Sequence, residues 1–177
     1  MVAVHLCKAV WPHMVAQKYG RILMTTSSTG LYGNFGQANY GAAKLAQVGL
    51  MQTLSIEGAK HDIRVNALAP TAATRMTEGL LPPDVMEAIK PEAVVPAMLV
   101  AVSEQAPSRM IFAAGAGTYE AAHITLTQGV HLGLTPDTPE RLLAALAQVA
   151  DRAGETVPMS GAEQGTNEVK QALAARR

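Results

Sequence analysis

An apolar, strand-like run at Arg21–Thr26 passes through a glycine-rich stretch into a helical pattern from about 38 to 59, and a second strand-like run, His61–Ala69, stops at Pro70. This order of extended run, long helix and extended run constrains the fold more than anything else in the chain. Ile22, Leu23 and Met24 form the unbroken apolar run of a buried strand, and Ile63, Val65 and Ala67 alternate as a second strand does. Proline ends that strand because it has no N–H for a ladder. Between them, Ala43, Ala46, Leu50 and Leu54 form one stripe, and Leu45, Val48 and Met51 another. Two apolar faces on one helix imply two partners.

The flanking segments extend the same alternation. Residues 3–18 put Val4, Cys7, Val10, Trp11 and Met14 at helical intervals, with a kink expected at Pro12 and an end at Gly20. After Pro70 we expect short helical turns over 75–90 broken at Pro82-Pro83, a helix from Pro91 to Gln105, and a short strand from Arg109 to Ala114. Gly115-Ala116-Gly117 is expected to end that strand. Further on, Ala122–Gln128 alternates as an extended piece. Thr138, Pro139 and Glu140 make a helix start with Thr138 as cap, which is expected to bury Leu142, Leu143, Leu146 and Val149. Residues 154–167 read as loop and 167–176 as a frayed helix.

Chemistry concentrates between Ser27 and Lys44. Tyr40 and Lys44 are four apart at the start of the long helix, so their Cβ atoms are expected about 5–6 Å apart on one face. A fixed cation beside a phenol favours phenolate and brings proton exchange toward neutral pH. Ser27, at the mouth of the first strand, is positioned to hold a carbonyl or alcohol oxygen against that phenol, which suits oxidation and reduction of a C–O centre. Tyr-x-x-x-Lys alone is a weak signal; the wider pattern is specific. Gly30, Gly33 and Gly36 form GxxGxxG rather than the dinucleotide-binding GxGxxG, so the loop is expected to be plain or substrate-facing. Tyr32 is expected either to line the cleft or to pack.

Composition excludes other classes. The 177 residues are 49% hydrophobic and 16% charged, enough for one domain with a core. Fourteen basic residues balance fourteen acidic ones without a basic block, so neither nucleic acid nor an anionic membrane is expected as a partner. A single cysteine, Cys7, excludes an internal disulfide and gives no metal-ligand spacing. His123 and His131 lack neighbouring ligands and read as ordinary histidines. No apolar run reaches the length of a membrane span, and a cytoplasmic location is expected.

Ser27, the loop 34–39, Tyr40, Lys44 and Asn66-Ala67-Leu68-Ala69-Pro70 resemble, in order and spacing, the short-chain dehydrogenase/reductase family. Within it the chain is most similar to the (3R)-hydroxyacyl-CoA dehydrogenase branch found in multifunctional β-oxidation enzymes. The resemblance spans nearly all of the chain and covers the second half of the family fold. It implies an α/β class, a Rossmann-type doubly wound parallel sheet present here as its C-terminal part, about three strands with helices over 1–120, followed by an extension over 121–177. It implies catalysis by Ser27, Tyr40 and Lys44, with Ser28 the runner-up hydroxyl because the family spacing selects the residue thirteen before the tyrosine. The implied cofactor is NAD or NADP, with Tyr40 and Lys44 at the nicotinamide ribose and Pro70, Thr71 and Thr74 around the carboxamide; Thr71 stands where the family usually has glycine. The implied substrate is a 3-hydroxyacyl or 3-oxoacyl thioester, and the implied partner a second copy through helices 3–18 and 38–59.

The family's relay asparagine and its glycine-rich dinucleotide-binding βαβ unit have no counterpart in the sequence. The chain is therefore expected to be truncated, to have a bare edge on its first strand and to act only when the other half is supplied. The alternatives are a non-catalytic oligomerisation or binding module derived from such an enzyme and, without positive support, cofactor-free lyase chemistry on the same Tyr and Lys.

Overall fold

The structure, a computed structural model, describes residues 2–73 and 82–176. It divides into two compact units, one ending at Ala122 and one beginning at His123.

The first unit is a four-stranded sheet with helices. Helix α1 (Val2–Gln17) precedes β1 (Gly20–Thr25), then the short α2 (Ser28–Tyr32), the long α3 (Ala38–Gly58) and β2 (Ile63–Pro70). Next come α4 (Pro83–Ala88), α5 (Val95–Val102) and the hairpin β3 (Ile111–Gly115) and β4 (Thr118–Ala122). Strand order is β1-β2-β3-β4, with β1, β2 and β3 parallel and β4 antiparallel to β3. The sheet is thus mixed where a parallel one was expected. Gly115-Ala116-Gly117 does not simply end a strand: Gly115 pairs with Thr118, and Ala116 (φ 51°) and Gly117 (φ 73°) form the two-residue left-handed turn that suits a tight hairpin. β3 begins at Ile111 rather than Arg109, because Arg109 itself takes a left-handed backbone (φ 69°).

The sheet is covered on both faces, as parallel strands require. Odd residues of β2 (Ile63, Val65, Ala67) join Val48 and Met51 of α3, Cys7 of α1, Met24 and Ile111 in one core. On the other face Leu68, Phe112 and Ala114 pack with Val94, Ala97 and Ala101. The buried face of α3 is Val48, Met51, Ser55 and Gly58; Leu45 is exposed, and Leu50 and Leu54 turn toward a groove against α1. Helix α1 runs unbroken through Pro12. From Pro91 the chain makes a 3₁₀ turn, Pro91–Val94, and α5 ends at Val102, earlier than expected.

Two polar clusters fix the sheet away from the candidate site. Arg21, whose side chain is 6% exposed, donates to Asp62 Oδ2 and to the carbonyls of Gly20, Asp62, Ser103 and Glu104, tying the starts of β1 and β2 to the end of α5. Asn66 is fully buried. It donates to Ala101 O (3.1 Å) and Pro107 O (2.7 Å) and accepts from Met110 N (3.0 Å), so all three bonds lock β2 to the segment leading into β3.

The second unit holds α6 (Thr138–Ala144), α7 (Leu146–Val149) and α8 (Ala162–Ala174), with Leu126 and Thr156 bridging antiparallel. None of its described residues is buried. The expected burial is not found: Leu142, Leu143 and Leu146 are 44%, 70% and 51% exposed. Three short helices joined by loops enclose too little volume for a core. The cap of α6 is Asp137, while Thr138 Oγ1 accepts from Thr135 N at 2.8 Å; α8 starts at Ala162, inside the stretch expected to be loop. No helix among the described residues is long and apolar enough to cross a membrane.

Candidate active site

Because β1, β2 and β3 are parallel, their carboxyl ends share one edge, where ligands of open α/β sheets bind. Ser27 follows the end of β1, and Pro70 and Thr71 end β2. At β1 the even residues bond β2, through Gly20 N to Asp62 O and Thr26 N to Leu68 O, so in a parallel ladder the carbonyl of Thr25 faces the other way.

Lys44 uses that carbonyl. Its Nζ donates to Thr25 O at 2.9 Å and lies 5.6 Å from the centroid of the Tyr40 ring. The i, i+4 pair therefore meets as the helical spacing requires, and the ammonium is pinned to the strand end. An ammonium has three N–H donors, so two remain for a ligand. Buried Thr26 reinforces the contact by donating from Oγ1 to the Lys44 carbonyl at 2.8 Å. Tyr40 is 44% exposed, open to a ligand.

Ser27 is half-buried and extended (φ −161°, ψ 153°), and its Oγ caps α2 by accepting from Thr29 N at 3.2 Å. Its hydroxyl proton remains available, since the cap uses a lone pair. Ser28 is the exposed first residue of α2. Helix α2 lies directly on α3. A Cβ at Gly30 would come 2.7 Å from Lys44 Cβ and 3.0 Å from Leu45 N, and one at Gly41 would meet Thr29 O at 3.3 Å. Glycine at both positions lets the serine cap and the Tyr40–Lys44 turn share one corner.

Ser27, Tyr40 and Lys44 thus gather at the carboxyl end of β1. Pro70 and Thr71 occupy the same edge of the sheet, at the end of β2. The Thr71 amide is taken by Ala114 O (2.8 Å), and its carbonyl and Cβ stand where a Cβ on Gly115 would fall, 2.6 and 2.7 Å away. Its exposed side chain, not its amide, is what Thr71 offers a ligand. Thr74 lies outside the described residues.

A polar network joins α2 to the loop before α3, and residue spacing gives no sign of it. Gln37 Oε1 accepts from Thr29 Oγ1 at 2.9 Å and from Asn34 Nδ2 at 3.3 Å. The loop turns at Gly33 (φ 79°) and Gly36 (φ 75°), with open space around both, and presents Tyr32 (74% exposed) and a fully exposed Phe35. Tyr32 therefore does not pack. The available signal was the polar set Asn34, Gln37 and Asn39 just before the tyrosine. Among the described residues no three His, Cys, Asp or Glu side chains cluster as metal ligands do.

A strand-end serine and a tyrosine–lysine turn under a doubly covered sheet define a class. Residues 1–83 match the family model of short chain dehydrogenases, and the chain belongs to the short-chain dehydrogenase/reductase family. Within that family its likeness runs to the peroxisomal multifunctional enzymes. The full-length peroxisomal multifunctional enzyme type 2 of Drosophila melanogaster superposes with a TM-score of 0.81 at 32% identity, over 93% of this chain and 30% of that one. A short-chain type dehydrogenase/reductase of Mycobacterium tuberculosis is 42% identical over 154 residues, 86% of this chain and 54% of that protein. A 3-oxoacyl-[acyl-carrier-protein] reductase of Synechocystis is 49% identical over 82 residues, 45% of this chain and 33% of that protein. The chain spans about half the length of the Mycobacterium relative and less of the others.

Proposed function

We propose that this chain carries the catalytic residues of an NAD(P)-dependent oxidoreductase acting on 3-hydroxyacyl and 3-oxoacyl thioesters. The observation that carries the reading is the Lys44 ammonium held between the Thr25 carbonyl and the Tyr40 ring at the carboxyl end of β1. The likeness to the Synechocystis 3-oxoacyl-[acyl-carrier-protein] reductase supports the substrate class.

In the mechanism Tyr40 gives a proton to, or takes one from, the reacting oxygen, and Ser27 holds that oxygen with a hydrogen bond from its hydroxyl, without transferring a proton. Lys44 supplies positive charge beside the phenol, and its two remaining N–H groups would be free to hold the ribose of a bound dinucleotide. The donors present suit the nicotinamide end of such a cofactor, and Pro70 and the exposed Thr71 side chain at the end of β2 would hold its carboxamide. The nicotinamide, when bound, supplies or accepts the hydride at C3 of the thioester. Exposure of Tyr40 leaves room for that exchange.

A second copy is the proposed partner, through α1 and α3. Val4, Leu6 and Val10 on α1 and Leu45 and Ile56 on α3 are 38–62% exposed, and a groove of ≈ 440 Å³ lined by Cys7, Trp11, Leu50 and Leu54 runs between the two helices. Sedimentation of the chain tests this: a monomer at micromolar concentration would remove it.

The activity is tested by grafting the full chain in place of the matching segment of the Mycobacterium relative and following NADH and NADPH oxidation with a 3-oxoacyl thioester. Turnover dependent on the thioester is expected. A graft that folds and binds the dinucleotide but does not reduce the thioester would leave a non-catalytic module as the better account.

A further inference from the structure

Tyr40 and Lys44 stand on a part of α3 that reaches no core. None of residues 38–47 is buried, and the helix enters the core only at Val48, followed by Met51, Ser55 and Gly58. Apolar packing on the sheet therefore does not fix the turn that bears the phenol and the ammonium, although α2 rests on one side of it at Gly30. Among the described residues, both hydrogen bonds that tie this turn to the end of β1 go to Lys44. Its Nζ donates to Thr25 O at 2.9 Å, and its carbonyl accepts from Thr26 Oγ1 at 2.8 Å.

The second of these bonds is not one that the helix needs. In an α-helix the carbonyl of each residue accepts from the N–H four residues on, so the Lys44 carbonyl, well inside α3, already has a partner in the Val48 amide. Thr26 brings it a further donor. The threonine is 1% exposed, and its own amide is taken by Leu68 O at 2.8 Å, which fixes it against β2. Its hydroxyl is thus a buried anchor reaching from the strand end to the helix. Two adjacent residues, Thr25 and Thr26, hold Lys44 at both its ends, ammonium and carbonyl. A flexible four-carbon stem is thereby kept in one geometry.

We propose that Thr26 is a positioning residue for the Tyr40–Lys44 pair: its hydroxyl sets the height of α3 over the end of β1, so that the ammonium stays in reach of Thr25 O and beside the phenol. The consequence for turnover rests on the oxidoreductase reading above; the placement of Lys44 does not. Buried as it is, Thr26 touches no ligand and acts through Lys44. Loss of its hydroxyl leaves the helical bonds of α3 in place, so the change falls on where Lys44 sits rather than on whether α3 forms.

The test compares Thr26→Val, which copies the shape of threonine without its hydroxyl, with Thr26→Ser, which keeps the hydroxyl without the methyl. In the chain itself, acetylation of Lys44 by an N-hydroxysuccinimide ester is followed by mass spectrometry, with the exposed Lys60 as internal standard. Lys44 should react about fivefold faster in Thr26→Val than in wild type, and Thr26→Ser should match wild type. In the full-chain graft, Thr26→Val should lower kcat about tenfold with KM for the 3-oxoacyl thioester little changed, and Thr26→Ser should restore most of the rate. Unchanged acetylation of Lys44 in Thr26→Val, a kcat within twofold of wild type, or Thr26→Ser as impaired as Thr26→Val would overturn the inference. If Thr26→Val fails to fold, Thr26→Ala removes the same hydroxyl and is held to the same criteria. A wild-type graft without thioester-dependent turnover would instead sink the oxidoreductase reading, and the acetylation comparison would then decide the placement of Lys44.

Discussion

The close seating of α2 on α3 sets a quantitative expectation for Gly30→Ala. The new Cβ would stand 2.7 Å from Lys44 Cβ and 3.0 Å from both Leu45 N and the Lys44 carbonyl carbon, all fixed by the α3 backbone. Restoring an ordinary contact of 3.4 Å requires the two helices to part by about 0.7 Å. Overpacking of this kind costs about 1–3 kcal/mol, and the better helix propensity of alanine returns up to ~1 kcal/mol. The net expectation is a loss of about 1–2 kcal/mol. Gly49→Ala is the matched control, since nothing lies within 4 Å of its added Cβ, and it should gain up to ~1 kcal/mol. Urea denaturation followed by the single tryptophan, Trp11, which packs against the α1–α3 core, reads both. The same parting separates the Ser27 cap from Tyr40, and a misplacement approaching 1 Å costs about 10–100-fold in turnover. Gly30→Ala as stable as wild type, or the two alanine variants shifting alike, would refute the packing argument.

Asn66→Leu keeps the size of the side chain but strands Ala101 O, Pro107 O and Met110 N in the interior; it should cost about 2–4 kcal/mol by urea denaturation, and a loss under ~1 kcal/mol would show those groups finding other partners. Acid sensitivity should trace to Asp62, whose carboxyl is held below the usual 3.8 by its hydrogen bond from Arg21 and then by Arg64, against an opposing desolvation. A carboxyl depressed in the folded state stabilises above its unfolded value and loses that contribution as pH falls through the folded one. The urea midpoint should therefore drop as pH falls below ~4, and less steeply in Asp62→Asn; parallel profiles would remove Asp62 from the account.

Elements with strong periodicity were legible in the chain: α1, β1, α3, β2 and the Tyr40–Lys44 turn all lie where the apolar spacing puts them. Their legibility comes from burial, because β1 and β2 must hide side chains and α3 must hide Val48 and Met51 against them. What escaped was set by backbone conformation. Ala116-Gly117 reads as a strand terminator until both residues are seen at positive φ, which turns the chain back into β4 and makes the sheet mixed. The second unit misled for the opposite reason. Leu142, Leu143 and Leu146 have a helical pattern, but the pattern cannot say that nothing in that unit covers them. At the site, the serine and the Tyr-x-x-x-Lys spacing were visible; the Thr29–Gln37–Asn34 network was not, because its bonds depend on two positive-φ glycines folding the loop back.

Replacement of a single atom tests the central claim most directly. Tyr40→Phe removes only the phenolic oxygen, leaving the ring beside Lys44 and the α3 backbone as they are. In the full-chain graft, thioester-dependent NADH or NADPH oxidation should fall by about three orders of magnitude, with dinucleotide binding and thermal stability close to wild type. Turnover within tenfold of wild type would mean that the proton moves through some other group, and that the corner formed by Ser27, Tyr40 and Lys44 is not where this chain does its chemistry.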